Sequence, residues 1–449
     1  MPRLLRNDFF IAISIIFSCA TSAAVSVYPG PAEALRSKKY RVRVIQAGKA
    51  RDSFVYADAN KFVEQKKNMS DWNHWTTFSF SGKVSVDIEL LAGAMKKCTV
   101  YPLHRKIKPT AGGNRLRFDI ERPAKLFIAI DGQEEDPLFV FADATLKTPN
   151  RNDPNVVWFG PGVHDVGKHY QLLTGKTYYL AGGAYVKGSF LGERVDGVTI
   201  CGPGILSGEN IPHRPYREAK FEGVGIHFTG RGRNVIKDVT IINPSQYCMQ
   251  SYVGCLTTRN VKCFGWWYET DGWCGNRGSL LEDSFFKVND DVVKLYHPDV
   301  QVRNLVIYQQ INGAPFQFGW GGESGSNGVV EDIDLIHCEV KFSKVFVSNR
   351  AFISRRIGRA NSVTRNFRFS RIRADRDIAH IIGIVSEGTV EGIHIQDFTV
   401  RGKQRWPSYL KGGTVRGITF ENVIVGGRKA GRTEIDLKTQ GNVSNVTFK

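Results

Sequence analysis

Three aspartates in two short segments have the type and spacing that favour acid–base chemistry. Asp271 lies in a Thr-Asp-Gly segment, and Asp290 and Asp291 follow in an Asn-Asp-Asp segment that begins eighteen residues later. Crowded carboxylates raise one another's pKa, so one can hold a proton at neutral pH while another stays ionised. Cleavage of a glycosidic bond requires this division, because one group protonates the leaving oxygen and another activates water.

Aromatic and polar side chains accompany these aspartates along the sequence. Flat rings, with Trp266 among them, are surfaces on which a sugar ring stacks. For Lys294 an ion pair with a carboxylate is the alternative, and for Gln317 a buried hydrogen bond between neighbouring turns of the chain. The residues that we predict to bind substrate are Trp267, Tyr268, Trp273, Lys294, His297, Gln317 and Trp320.

The adjacent pair Asp290 and Asp291 sets a condition on the backbone. Neighbouring residues of a regular strand point to opposite faces, so both carboxylates reach one site only where the chain bends. Asn289 favours a bend, because Asn tolerates unusual backbone angles. Without the bend, one of the two aspartates would be structural.

The first part of the chain, residues 36–150, is predicted to form an antiparallel β-sandwich. Short runs of alternating apolar and polar residues recur there, as in Val84–Ile88 and Leu116–Ile120. Closely spaced strands of about five or six residues with turn residues between them are typical of a sandwich. A stretch rich in Asn, Asp and Pro from Thr148 to Asp153 predicts the linker that follows.

The remainder, residues 154–449, repeats a short pattern that predicts a parallel β-helix. Apolar–polar–apolar triplets such as Val198–Ile200, Val239–Ile241 and Ile418–Phe420 recur at irregular intervals of roughly 20 to 35 residues, without helical periodicity between them. Strand-and-turn units stacked without helices form such a solenoid. A β-propeller or a second sandwich is the alternative, although a propeller would show a steadier repeat length. The fold class is therefore all-β.

The N-terminus predicts export. Residues 1–24 resemble a signal peptide, with Arg3 and Arg6 before the apolar stretch Phe9–Ala20 and small residues after it. An uncleaved membrane anchor is the alternative. Since no other apolar run approaches membrane-spanning length, we expect no stable membrane insertion and a secreted protein, extracellular or periplasmic.

The charge of the chain is strongly positive. A net charge of +18 favours polyanions as partners, and arginines concentrate between Arg350 and Arg376. No nucleic-acid-binding motif accompanies them, so we expect either a solvated basic face or a site for anionic sugar, and no nucleic-acid partner. The cysteines lack the spacing of a zinc site, and we expect neither metal nor cofactor. We expect a monomer.

Several stretches resemble glycoside hydrolase family 49, the dextranase and isopullulanase family. This resemblance covers most of the chain after the signal peptide, and the combination of Thr-Asp-Gly with Asn-Asp-Asp is its most specific part. The family 28 hydrolases, which degrade pectin, share a carboxylate trio, but their Gly-His-Gly and Arg-Ile-Lys motifs are missing here. The matching stretches are Asp71–Trp75, Gly183–Gly188, Gly202–Glu209, Trp267–Gly272, Lys287–His297, Val302–Gly313 and Gln317–Trp320.

The resemblance implies a fold, a stereochemical outcome and residue roles. It implies an N-terminal β-sandwich followed by a right-handed parallel β-helix, and hydrolysis with inversion at the anomeric carbon. Asp290 would be the general acid, and Asp271 and Asp291 the candidates for activating water. An inverting acid and base are expected about 6.5–9.5 Å apart.

The predicted function is metal-independent endo-hydrolysis of a polysaccharide, with the α-1,6 links of dextran as the expected target. One alternative is hydrolysis of another polysaccharide, including an anionic one, which the positive charge would serve. A second is a non-catalytic glycan-binding or adhesion protein on the same scaffold. A third is a calcium-dependent lyase in which the three aspartates are metal ligands, since calcium takes several oxygen ligands.

Overall fold

The computed structural model describes residues 24–62, 64, 69–214, 218, 221–340 and 349–449. The predicted signal peptide lies outside these residues except for its last position. Among the described residues, no helix has the length and apolar character needed to cross a membrane. Strands dominate the described residues, in which short 3₁₀ helices lie at Glu33–Leu35 and Leu103–Arg105.

Eleven strands, all before residue 145, form the two sheets of a sandwich. They are β1 (Ala24–Val27), β2 (Tyr40–Gln46), β3 (Lys49–Ser53), β4 (Val55–Ala59), β5 (Trp72–Ser81), β6 (Val84–Leu90), β7 (Cys98–Tyr101), β8 (Thr110–Gly112), β9 (Arg115–Ile120), β10 (Ala124–Ile130) and β11 (Gln133–Ala144).

One sheet has the order β1-β5-β11-β10-β7 with β4 also on β5, and the other has the order β3-β2-β6-β9-β8. Alternation along the strands gives each sheet an apolar inner face, as with the buried Leu116 and Phe118 of β9. The pairing is antiparallel except between β5 and β11, which run parallel. Strand β1 belongs to this sheet, so the sandwich begins before residue 36, the start expected from the sequence.

The remaining strands wind into a single large coil. They are β12 (Val156–Phe159), β13 (Gly162–Gln171), β14 (Thr177–Leu180), β15 (Ala184–Gly192), β16 (Thr199–Cys201), β17 (Ile205–Ser207), β18 (Ile226–Phe228), β19 (Arg233–Lys237), β20 (Thr240–Ile242), β21 (Met249–Ser251), β22 (Cys255–Arg259), β23 (Lys262–Phe264), β24 (Trp273–Cys274), β25 (Leu280–Glu282), β26 (Phe285–Lys287), β27 (Val293–Lys294), β28 (Gln301–Gln309), β29 (Phe316–Gln317), β30 (Val329–Cys338), β31 (Ala351–Gly358), β32 (Val363–Ala374), β33 (His380–Val400), β34 (Tyr409–Val425), β35 (Arg428–Lys429) and β36 (Lys438–Phe448).

In this coil each strand pairs in parallel with a strand of the next turn, apart from the antiparallel pair β34–β35. The register stacks like positions of successive turns, so Trp273, Val293 and Phe316 form one inward-facing row. Their burial gives the coil a continuous apolar core. The predicted all-β fold, a sandwich followed by a right-handed parallel β-helix, is confirmed.

The sandwich packs against the β-helix through a wall of aromatic side chains. Phe139 of β11 contacts Phe264 and Phe285, with ring centroids 5.5 and 5.0 Å apart. A fully buried ion pair joins Lys262 of the β-helix to Asp143 of the sandwich. The apolar and ionic contacts together hold the two parts in register.

Candidate active site

The Asn-Asp-Asp segment forms a bend between β26 and β27, which we call the aspartate bend (Asn289–Asp291). Asn289 is fully buried and fixes it, because its side-chain amide donates to the carbonyl of Trp266 at 2.9 Å. Gly313 of the next turn has a φ of 80°, and a Cβ there would meet the carbonyl carbon of Asp290 at 2.0 Å. Only glycine fits against the bend at that position.

The third aspartate reaches the bend from the turn before. The backbone N–H of Gly272 donates to the carbonyl of Asp291 at 2.9 Å, so Asp271 stacks directly beside Asp291. One oxygen from each of Asp271, Asp290 and Asp291 lies within 4.8 Å of those of the other two. The structure therefore brings together the three aspartates that the sequence singles out.

This spacing departs from the expected separation of acid and base. An inverting pair is expected about 6.5–9.5 Å apart, whereas the nearest oxygens here lie within 4.8 Å. The cause is the architecture, because neighbouring turns of a parallel β-helix lie only about 4.8 Å apart. Asp271 and Asp291 share one row at that distance, and Asp290 is the chain neighbour of Asp291.

Lys294 supplies positive charge to the three aspartates. Its Nζ lies 2.8 Å from Oδ1 of Asp271 and 3.2 Å from Oδ2 of Asp291. Burial opposes the charge, but Asp271 and the rings of Tyr247 and Tyr296 raise the pKa of Lys294 well above its usual value. The structure supports the ion pair for Lys294. Its assignment as a sugar-binding residue is wrong, because the buried ammonium is committed to carboxylates.

Asp290 is the half-buried member of the trio. Its Oδ2 accepts a hydrogen bond from the backbone N–H of Glu269 at 2.8 Å, and its Oδ1 accepts one from that of Asp291 at 2.9 Å. Burial, followed by the negative charge of Asp291, raises the pKa of Asp290 to about 7. This carboxyl group can therefore carry a proton at neutral pH while remaining in contact with solvent.

Asp271 and Asp291 differ in their surroundings. Burial raises the pKa of Asp271 well above its usual value, against the opposing charge of Lys294. Asp291 is fully buried and accepts three hydrogen bonds, from Lys294, from the backbone N–H of Ala314 at 3.0 Å and from the indole of Trp320 at 2.9 Å. Both carboxylate oxygens of Asp291 therefore already accept hydrogen bonds.

The loop that carries Trp320 is held by a buried arginine. Arg355 donates to the carbonyls of Phe318 at 2.9 Å, Gly321 at 3.2 Å and Glu323 at 3.1 Å. Trp320 itself is 39% exposed, so its ring is open to solvent while its N–H is bound to Asp291. Arg355 is a positioning residue for this tryptophan.

The two expectations for the segment from Arg350 to Arg376 are a solvated basic face and a site for anionic sugar. Neither describes the whole segment. Arg350 and Arg355 are fully buried, so part of the segment lies inside the protein. Arg371 and Arg373 form ion pairs with acids of the previous turn, among them Asp332. Part of the segment therefore serves the stacking of turns, while Arg359, Arg365 and Arg368 are exposed.

An aromatic wall stands beside the bend. Trp267 and Tyr268 are half-buried, and Trp267 stacks on His213 with centroids 4.7 Å apart and planes at 11°. Phe62 of the sandwich packs edge-on against Tyr268 at 4.6 Å. His297 lies across from Tyr252 with centroids 5.9 Å apart. Sequence reasoning missed Phe62 and His213, since neither lies near the aspartates along the chain.

Two further predicted substrate-binding residues, Trp273 and Gln317, are wrong. Trp273 is fully buried because it is the inward-facing residue of the two-residue strand β24, and its indole donates to Thr258 at 2.9 Å. Gln317 is also fully buried, and its amide donates to Asn349 at 3.2 Å. For Gln317 the alternative of a buried hydrogen bond between turns describes the structure.

The sandwich supports the aspartate bend from behind. Asp58 accepts a hydrogen bond from the indole of the fully buried Trp266 at 2.7 Å. The carbonyl of Trp266 in turn accepts the Asn289 amide. Ser70 accepts a hydrogen bond from Lys287, three residues before Asp290, at 2.9 Å. No sequence signal marked Asp58 or Ser70, because both act across the interface between the two parts.

Comparison with curated proteins finds dextranases and an isopullulanase as relatives. No protein-family model matches the chain. A dextranase of Arthrobacter sp. (strain CB-8) is 27% identical over 358 residues, which cover 67% of this chain and 54% of the relative. An isopullulanase of Aspergillus niger is 23% identical over 480 residues, covering 88% and 85% respectively. The chain thus spans about half the length of the first relative and most of the second.

Comparison with solved structures agrees on the architecture. Dex49A from Penicillium minioluteum superimposes with a TM-score of 0.74 and 16% sequence identity, over 93% of this chain and 96% of that one. At this identity the likeness concerns the fold. It extends over both the sandwich and the β-helix.

Proposed function

We propose a function from the premise that the chain belongs to glycoside hydrolase family 49, whose dextranases and isopullulanase it resembles in sequence. The proposed activity is endo-hydrolysis of α-1,6-glucosidic links in dextran by an exported enzyme, with inversion at the anomeric carbon. Dextranases among the relatives support this substrate. The exposed surface along stacked turns suits an extended polymer.

The observation that carries the proposal is the state of Asp290. It is the solvent-accessible carboxyl of the trio, and its pKa is raised to about 7. A general acid needs a pKa near the working pH, so that it is protonated before the reaction and can give up its proton during it. We assign to Asp290 the protonation of the glycosidic oxygen as the bond to the anomeric carbon breaks.

For the base we favour Asp271 over Asp291. Activation of water requires a carboxylate oxygen that can accept a proton, and both oxygens of Asp291 already accept hydrogen bonds. The raised pKa of Asp271 makes its carboxylate a strong proton acceptor, and Lys294 stabilises the ionised form. In this assignment Asp291 positions Lys294 and Trp320, and water attacks the anomeric carbon while its proton passes to Asp271.

Substrate would lie over the half-exposed rings around the bend. Trp267, Tyr268 and His297 are half-buried, and Trp320 is exposed. These side chains offer faces for sugar rings and hydrogen-bonding groups for hydroxyls, as carbohydrate binding requires. We expect Trp320 to contact the sugar next to the cleaved bond, since its N–H reaches Asp291.

The test is product analysis with purified protein on dextran, pullulan and a panel of acidic polysaccharides. We expect reducing ends from dextran as internal fragments, and NMR of the first product to show the β-anomer. Retention of the anomeric configuration would overturn the inverting assignment. The aspartate oxygens lie within 4.8 Å of one another, and this spacing does not support inversion. Binding without release of reducing ends would favour an adhesion protein, and an unsaturated product would favour a lyase.

A further inference from the structure

A basic groove lies in the sandwich, outside the residues of the proposed active site. It has a volume of about 1010 Å³ and lies between the segment 104–110 and strand β9 with the residues that follow it. All of its lining residues belong to the sandwich, whereas the three aspartates belong to the β-helix. We call it the basic groove, and its cationic lining residues are Arg105, Lys106, Lys108, Arg117 and Arg122.

These five cations lack ion pairs with any of the residues that the structure describes. The contrast with Arg115, two residues before Arg117 on the same strand, is direct. Arg115 pairs with Asp87 at 3.5 Å and with Glu89 at 3.3 Å. Asp87 lies opposite Arg117 in the sheet register, but its carboxylate is taken by Arg43 at 2.9 Å and by Arg115.

The acidic residues of the groove do not neutralise it. Asp119 lies 2.9 Å and Glu121 3.9 Å from Nζ of Lys83, a residue outside the lining. Asp119 also accepts a hydrogen bond from Ser85 at 2.5 Å. Both acids therefore already have partners, and the lining holds five Lys and Arg side chains against these two acids, so positive charge remains available to a ligand.

Arg105 adds a donor at greater depth. It is half-buried, and one terminal nitrogen donates to the carbonyl of Pro123 at 3.0 Å. Its Nε is buried without a hydrogen-bond partner among the described residues. Arg105 lines the groove, and the planar guanidinium group matches the geometry of carboxylate and sulfate groups.

The shape and lining of the groove limit the class of ligand. Its volume exceeds the range of about 300–1,000 Å³ that is usual for small-molecule pockets, and it is open. Its aromatic side chains are Phe118, which is buried in the sandwich core, and His104, whose Nδ1 lies 3.1 Å from Asp334, so charged groups dominate the lining. Recognition would rest on charge.

We propose that the basic groove is a second glycan-binding site, which holds an acidic polysaccharide through its carboxylate or sulfate groups. The net charge of +18 would draw such a chain to the protein, and the unpaired cations would hold it. The site is separate from hydrolysis of neutral glucan, so the two can be tested independently.

The experiment measures binding of the full chain to dextran sulfate, with neutral dextran and free sulfate as comparisons. Lys106→Glu with Lys108→Glu reverses two exposed groove charges, and we expect it to weaken binding about tenfold or more. The matched control is Lys49→Glu with Arg51→Glu on β3. This makes the same charge change at exposed positions on the opposite edge of the same sheet.

Affinity of the wild type should fall steeply with salt, since the interaction is ionic. Equal losses in the groove variant and the control would overturn the proposal, because net charge alone would then explain binding. Tighter binding of a DNA oligomer or of anionic vesicles than of dextran sulfate would also overturn it. Hydrolysis of neutral dextran should be unchanged in both variants, so loss of the proposed enzyme activity in the wild type is a separate outcome.

Discussion

The indole Nε1 of Trp320 donates a 2.9 Å hydrogen bond to Oδ2 of Asp291. One residue thereby presents a ring to solvent and an N–H to a fully buried carboxylate. A sugar that stacks on this ring would press on a group bonded directly to the aspartate bend. Binding of substrate and alignment of the carboxylates are thus linked through a single side chain.

Replacing Trp320 with Phe separates these two roles. The ring remains for stacking, but the N–H to a buried charged acceptor is lost, an interaction of about 1.5–3 kcal/mol. We expect kcat to fall about tenfold or more with little change in KM, whereas Trp320→Ala should also raise KM. Trp72→Phe, at an exposed indole of the sandwich, is the control, and steady-state kinetics on dextran are the measurement. Equal changes in kcat and KM for Trp320→Phe would contradict the link to Asp291.

Asp290→Asn tests the general acid. Loss of the proton donor should reduce kcat on dextran by about 10²–10⁴-fold while the protein stays folded. Much of the activity should return on an aryl isomaltooligosaccharide whose leaving group departs without protonation. If the variant cleaves dextran and the aryl substrate equally poorly, Asp290 is not the acid.

Asp271→Asn and Asp291→Asn separate the base from a positioning carboxylate. The first should inactivate the enzyme on dextran and on the aryl substrate alike, because water must be activated in both reactions. In the second, the Asn amide offers one acceptor oxygen where Asp291 uses two to bind Lys294, Trp320 and Ala314, so we expect lower thermal stability as well as lower kcat. Thermal unfolding measured alongside kinetics distinguishes the two roles. A destabilised Asp271→Asn variant together with a stable Asp291→Asn variant would reverse the assignment.

The pH profile follows from the same carboxyl groups. Asp290 must be protonated, and its pKa is raised to about 7, so kcat should fall as pH rises through that value. Asp271 must be ionised, and its raised pKa should place the acidic limb above the ordinary aspartate value of about 3.9. With the aryl substrate the alkaline limb should disappear. An alkaline limb that persists in Asp290→Asn would show that another group titrates there.

Trp266→Phe tests support of the bend by the sandwich. The substitution keeps a buried ring but removes the N–H that Asp58 accepts. Because the Asn289 amide bonds to the backbone carbonyl of Trp266, a shift of the ring that has lost its anchor would move the aspartate bend, so we expect kcat to fall about tenfold, with KM and the pH profile little changed. Trp75→Phe is the matched control, because Trp75 is buried in the same interface and its indole nitrogen has no hydrogen-bond partner among the described residues. Equal kinetic effects of both variants would mean that packing alone matters.

Local sequence patterns were sufficient to predict part of the fold and of the site. Triplets such as Ile418–Phe420 predicted the strands of the β-helix, because alternate burial leaves its mark on adjacent residues. Asp271, Asp290 and Asp291 could be singled out because close spacing along the chain became closeness across two turns. Trp273 was misassigned, since a two-residue strand is too short for its inward and outward positions to be distinguished by pattern.

Other features depend on contacts that no local pattern records. Phe62 and Asp58 act on the site across more than two hundred residues of sequence. Arg355 resembles its exposed neighbours in the chain, and only the loop folded around it explains its burial. Such residues become recognisable when the packing of the sandwich on the β-helix is known.

The buried ion pair of Lys262 and Asp143 bears on whether the sandwich can be replaced by another domain. A shortened chain that began at the linker would remove Asp143 and leave Lys262 without its ion-pair partner. It would also expose Phe264 and Phe285 to water. Domain shuffling at this linker should therefore yield insoluble products, and the two architectural parts would be inherited and engineered as one folding unit.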